Sequence, residues 1–433
     1  MGGVASPGSD VAYRLAVQAR NWRLVQVDSL FIGVVNASST FLPVFLLRLG
    51  ASGNDVGLLT ALPALTAFLL AIPFGRMLQG RQNIVPWYAR LRLVAWSSYA
   101  VIALAVAVLP RELAVPVSLL IWALASLPST AALVGFPLVM DGAAGPGGRF
   151  DLLGRRWAIA GVSASVSLAL GGQLLNALPF PENFEILLLI VTLAGFGSYL
   201  QSSRIAIADQ ARPPEAPREP LRARLASLSR VVLANRAFTG FEARAFVYTA
   251  SIGLALPILP LFYVHDMAAS DAWIGIIGAA SNVGSVLGYL GARQLARRGR
   301  SPMILLPSML AAAVAPAVLS IIGWLPAVAA IAFATGFAGA GAQLALFDAL
   351  MRRLPRELGV TFSSVDQSLQ NLALIVAPNV GGLLAVALGA RQALLVVAAV
   401  GLVSFGLFAL HRLRSHGGLT AGEPALAGGP AGR

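Results

Sequence analysis

Hydrophobic positions along this chain run in long stretches separated by short polar gaps. They show neither the alternation of a half-buried strand nor the narrow stripe of a surface helix. A helix needs roughly 20 apolar residues to cross about 30 Å of hydrocarbon. Stretches of that length fall near 27–48, 55–76, 84–109, 117–140, 152–178, 184–204, 239–264, 271–292, 302–323, 325–350, 362–388 and 391–412. The pattern predicts an all-α chain of twelve membrane-spanning helices. The first stretch, beginning after Trp22, is too long for a signal-peptide core and reads as a retained span.

Charge adds a direction to this picture. Of the 31 basic residues, 28 fall in or beside alternate gaps, and only Arg48, Arg111 and Arg391 fall on the other side. Cationic side chains near the ends of a span stay on the cytoplasmic side, so both termini are expected in the cytoplasm of a multi-pass inner (plasma) membrane protein. The opposite gaps carry acid: Asp55, Glu182, Glu185, Asp266 and Asp271. An Arg-rich stretch with Pro213, Pro214, Pro217 and Pro220 cannot be helical throughout. It reads as a linker whose arginines can rest on anionic membrane lipids. The expected organisation is a six-helix bundle over 1–204, a cytoplasmic linker over 205–238, a second six-helix bundle over 239–414, and a disordered tail over 415–433.

Composition removes several alternatives. With 57% hydrophobic and 11% charged residues and a mean hydropathy of +0.78, the solvent for this fold is mostly lipid. The net charge of +13 is parcelled into loops, whereas a nucleic-acid reader gathers it on one face, so no nucleic-acid partner is expected. The chain has no Cys and no Lys, which excludes disulfides, thiol chemistry, a P-loop lysine and a Schiff base. The spans contain no HExxH, no GxSxG and no paired acids, so neither an enzyme nor a cofactor is expected.

The two halves repeat one another. Phe41-Leu42-Pro43-Val44-Phe45 matches Ile258-Leu259-Pro260-Leu261-Phe262, with the prolines 217 apart. Gly57 matches Gly275 at 218, Arg76 matches Arg293 at 217, and Gly171-Gly172 match Gly381-Gly382 at 210. Repeats of this kind mark secondary transporters. From about Asn21 to Arg414 the chain resembles the major facilitator superfamily, whose members are two parallel six-helix bundles that carry small molecules by alternating access. The family's signature between spans 2 and 3 is degraded here: Gly80-Arg81 stands at its end, but Met77 occupies the acidic position. The copy between spans 8 and 9 has Ala296 at that position. The resemblance therefore leaves Arg76 and Arg293 as substitute latch residues. Ala377-Pro378-Asn379-Val380-Gly381-Gly382 in span 11 resembles a bend that antiporters of the family carry in span 5.

Polar groups facing lipid are costly, so polar stripes on spans should face protein or a watery cavity. Ser363, Asp366, Gln367, Gln370 and Asn371 share one face of span 11. Span 1 offers Asp28, Asn36 and Ser39. Asn36, Ser39, Asn282, Gln343, Gln370 and Asn371 are the candidate substrate contacts, and interhelical hydrogen bonding is the competing role for each. Asp28, Arg76, Glu242, Arg293, Asp348 and Asp366 are the gating or coupling candidates. Asp348 stands one helical turn before Arg352. A cavity without midplane acid or His points to a neutral or amphipathic small-molecule substrate. Export coupled to protons, by a monomer, is the leading expectation. Sugar or metabolite uptake, facilitated diffusion, and a transporter-like sensor remain open.

Overall fold

The computed structural model describes residues 7–79, 81–145, 148–207, 234–297, 303–351, 353 and 359–417. Most of the expected linker and tail lie outside the described residues. The helices are α1 (Pro7–Arg48), α2 (Gly53–Gln79), α3 (Val85–Val108), α4 (Arg111–Ala144), α5 (Arg149–Ala177) and α6 (Glu182–Ser202) in the first half. The second half has α7 (Arg236–Leu261), α8 (Asp271–Arg297), α9 (Leu305–Ile321), α10 (Leu325–Met351), α11 (Gly359–Leu388) and α12 (Ala390–Gly417). A π-helical turn, Phe262–Asp266, extends α7.

Eleven of these helices are long and apolar enough to cross a membrane, and α9, at 17 residues, is the shorter exception. Boundaries fall within a few residues of those expected, except at the start. At 42 residues α1 is roughly 63 Å long, so its first turns extend well past a bilayer's hydrocarbon. Local chemistry fixes several ends. Ser52 and Asp55 form a capping box: the Ser52 backbone N–H and hydroxyl each donate to Asp55 Oδ2 at 2.8 Å. The Asn235 side chain accepts from the Phe238 N–H at the head of α7. Arg391, out of place by the charge pattern, donates to the carbonyls of Ser320 at 2.8 Å and Ile322 at 3.1 Å. It satisfies orphan carbonyls at the end of α9.

Within the first half, α1 lies on α5 and α6, α3 on α4 and α6, and α2 on α4. Within the second, α8 lies on α10, α7 on α11 and α12, and α9 on α10 and α12. Two long crossings join the halves, α2 with α11 and α5 with α8. The repeat-related glycines build both. A Cβ on Gly53 would stand 2.9 Å from the Gly382 carbonyl oxygen, and one on Gly172 would stand 2.9 Å from the Gly275 Cα. Backbones this close leave no room for a side chain. The same relation places Gly57 on Pro378 and Gly275 on Leu168.

The apolar cores show where the halves are joined. Two buried clusters contain residues of both halves: one around Phe41, Phe45 and Phe184 reaches Ile274, and one around Ile258 and Phe262 takes in Leu47 and Val56. Both lie at the end remote from the termini, here the far end. Toward the termini the core divides in two. Val25, Leu78, Tyr88 and Met140 form a cluster of first-half residues only, and Phe238, Phe241, Phe362 and Phe408 one of second-half residues only.

Candidate functional site

At the far end Arg48, at the end of α1, meets Asp271, at the start of α8, in an ion pair of 2.8 Å that links the two halves. Asp271 is 7% exposed and Arg48 31%, so solvent screens one side of the pair. One layer inward, the Thr40 methyl and the Leu168 side chain face Gly278 of α8. Asn36 lies one turn from Thr40 on α1, and Asn282 one turn from Gly278 on α8, both on the termini side of this contact. The geometry thus puts two of the expected substrate contacts on facing helices just beneath the closed layer. Ser39 is exposed beside them, its hydroxyl donating to the Asn36 carbonyl at 2.7 Å. Asn371 lies on the face of α11 that carries Pro378 toward α2, and is half-buried.

Gln343 and Gln370 have partners inside the second half. The Tyr289 hydroxyl donates to Gln343 Oε1. The Gln370 amide donates to both Asp366 carboxylate oxygens, at 2.9 and 2.8 Å. Glu242 on α7 is 4% exposed, and its Oε1 has no hydrogen-bond partner among the described residues. It lies near enough to Asp366 for the two carboxylates to repel. Asp348 is half-buried in the last turn of α10, while Arg352 lies outside the described residues. Arg76 and Arg293 are on α2 and α8, but their side chains lie outside the described residues. The described residues hold no cluster of three or more His, Cys, Asp or Glu able to bind a metal.

A family model described as Major Facilitator Superfamily matches residues 245–428. The whole chain shares its fold with solved transporters. A nucleoside transporter, NupG, in a point-mutant form, superposes with a TM-score of 0.72 at 13% identity, covering 90% of this chain and 99% of that one. The second half of the chain matches that family's model, and the chain as a whole has the fold of these transporters.

Its membrane-length helices and these matches support reading it as a multi-pass membrane transporter. A bacterial homologue of the human lysosomal transporter Spinster, inward-facing and unoccupied, gives a TM-score of 0.64 at 14% identity over 94% of this chain and 97% of that one. A POT family transporter in complex with a thioalcohol-conjugated peptide gives 0.69 at 9%, over 91% and 96%. No curated protein sequence matches the chain.

Asp28 does not bridge the halves. Arg92 Nη2 donates to its carboxylate at 3.0 and 3.3 Å and to the Ser198 hydroxyl at 2.7 Å, and Ser198 donates in turn to Asp28. The pair ties α1, α3 and α6 together and braces the first half. Arg92, Arg156, Arg48, Asp271 and Tyr289, and the nearness of Glu242 to Asp366, were not among the candidates that the sequence offers. Signals existed for some of them. Arg92 and Arg156 are arginines inside apolar stretches, and Arg48 breaks the charge pattern. Nothing in linear order relates Arg48 to Asp271 or Glu242 to Asp366.

The Arg48 pair sets an expected outcome. Arg48→Gln leaves Asp271 without its cation and should weaken far-end closure by about 1–2 kcal/mol, allowing for the exposure of Arg48. Because the chain has no Cys, an Asn36→Cys reporter needs no background removal. Its labelling rate from the far side should rise roughly tenfold, and Arg48→Asp with Asp271→Arg should restore it. An unchanged rate removes the pair from the gate.

Proposed function

We propose that this transporter exports a small amphipathic molecule by alternating access, in exchange for protons. The observation that carries the reading is the divided core: the halves share apolar clusters at the far end and keep separate ones toward the termini. With the arginine-rich termini side in the cytoplasm, this is a state closed outward and open inward. Two bundles joined by the linker would rock about the Asn36 and Asn282 layer. Cargo then enters from the cytoplasm between Asn36, Ser39, Asn282 and Asn371.

Glu242 and Asp366 supply the coupling in this reading. Two buried carboxylates without an ion-pair partner among the described residues are the groups placed to carry the proton. They lie about two turns from the starts of α7 and α11, at the open end, where cargo loading can release that proton inward.

The test uses proteoliposomes with a trapped pH-sensitive dye, an imposed pH gradient, and a panel of lipophilic cations, anions, neutral drugs and sugars. Proton flux against cargo movement is expected. Glu242→Gln or Asp366→Asn should abolish that flux while cargo still equilibrates down its own gradient. Protons moving with the cargo would show uptake instead. Cargo flux that keeps its proton coupling in both variants would remove the acids from the coupling site.

A further inference from the structure

We infer that the first half holds a station for an oxyanion, a carboxylate or phosphate borne by the cargo, built on Arg156 with Arg92 beside it. The inference deepens the transport reading above and rests on it.

Arg156 on α5 is 4% exposed. Its guanidinium lies against the rings of Phe136 at 4.7 Å and Trp157 at 5.0 Å. Aromatic faces attract a cation but accept none of its in-plane N–H bonds. Among the described residues Arg156 makes no hydrogen bond and no ion pair, and its Nε is buried without a partner. A guanidinium cannot shed its proton to escape this position. Among the described residues the carboxylate that acts on it, Asp28, is engaged by Arg92, which itself leaves Nη1 buried and unpartnered. Arg156 feels the charges of both Asp28 and Arg92. The cluster therefore holds two cations against one anion, out of water, and its unmet need is for one more anion.

The chemistry of the unmet donors selects the ligand. A planar guanidinium fork matches a carboxylate or phosphate edge in two parallel hydrogen bonds, which a neutral hydroxyl or carbonyl cannot reproduce. Placement agrees. Arg92 and Arg156 lie about two turns from the starts of α3 and α5, at the end where the cores are separate. Glu242 and Asp366 lie at a similar distance along α7 and α11 of the second half. An anionic cargo would be repelled by those acids while they are ionised and held by the arginines, which orients it with its charged end toward the first half. The polar stripes alone point to an uncharged cavity, and this station would add a positive charge beside it.

The test is equilibrium binding to the purified full-length protein, in detergent and in nanodiscs of zwitterionic phosphatidylcholine. The probes are benzoate and inorganic phosphate, with benzyl alcohol as the uncharged control, read by tryptophan fluorescence. Wild type should bind benzoate saturably and ignore benzyl alcohol. Arg156→Gln should bind at least tenfold more weakly, and Arg156→Lys should fall between. Without anion, Arg156→Gln should melt no lower than wild type, because it removes an unpaired buried charge. Absence of saturable binding, equal affinity in Arg156→Gln, or a lower melting temperature in that variant would overturn the station. Loss of benzoate binding in phosphatidylglycerol nanodiscs would assign the arginine to a lipid headgroup and overturn its role toward cargo. Binding needs no proton flux, so a failed flux assay with benzoate binding intact counts against the transport reading alone.

Discussion

Gly382→Leu, or Gly172→Leu, is expected to abolish transport while leaving membrane insertion intact. Each glycine sits where α11 crosses α2 or α5 crosses α8. A Cβ on Gly172 would stand 2.7 Å from the Asp271 carbonyl oxygen, and one on Gly382 2.9 Å from the Asn54 nitrogen. The atoms met are backbone atoms of the other half, which cannot rotate away as a flexible side chain can. Overpacking costs about 1–3 kcal/mol at an ordinary core position, and here it acts only on the state in which the far end is closed. A penalty of that size moves a two-state equilibrium roughly 5- to 150-fold. The variants should therefore be trapped with the far end open. An Asn36→Cys reporter should label rapidly from that side, and loss of transport should accompany an unchanged yield of folded protein. Full transport by Gly172→Leu would mean that the α5–α8 crossing does not have to close during the cycle.

Arg92→Ala has the largest expected effect on folding. Asp28 is 1% exposed and Arg92 5%, and Arg92 also lies over the rings of Tyr88 at 4.9 Å and Trp96 at 4.4 Å. Removing one partner of a buried pair leaves an uncompensated charge, at about 3–5 kcal/mol, whereas removing both together costs much less. Arg92→Ala should lower thermal stability sharply in detergent, and Asp28→Asn with Arg92→Leu should recover a large part of the loss. If the double variant is as unstable as the single, the brace acts through packing of the long Arg92 side chain, and the charge argument fails.

Span positions were legible in the sequence because a bilayer demands about 20 apolar residues per crossing. The gap residues report their own ends, so α2 through α12 begin and end close to where hydropathy put them. The repeat was legible too, and it located in advance the glycines that make both crossings. The site was legible only in part. Asn36 and Asn282 could be named because polar residues stand out in apolar helices, yet nothing in linear order separates them from Gln343 and Gln370, which are engaged within the second half.

By itself the sequence determined an all-α membrane protein with internal symmetry, since burial in lipid constrains every residue of a span in a way that composition and charge record. Tertiary structure decided which charges meet. Arg48 finds Asp271, Arg92 finds Asp28, Glu242 approaches Asp366, and Arg156 finds no partner among the described residues. Electrostatic pairing depends on distances across helices that are far apart in sequence, and such distances exist only once the helices are packed.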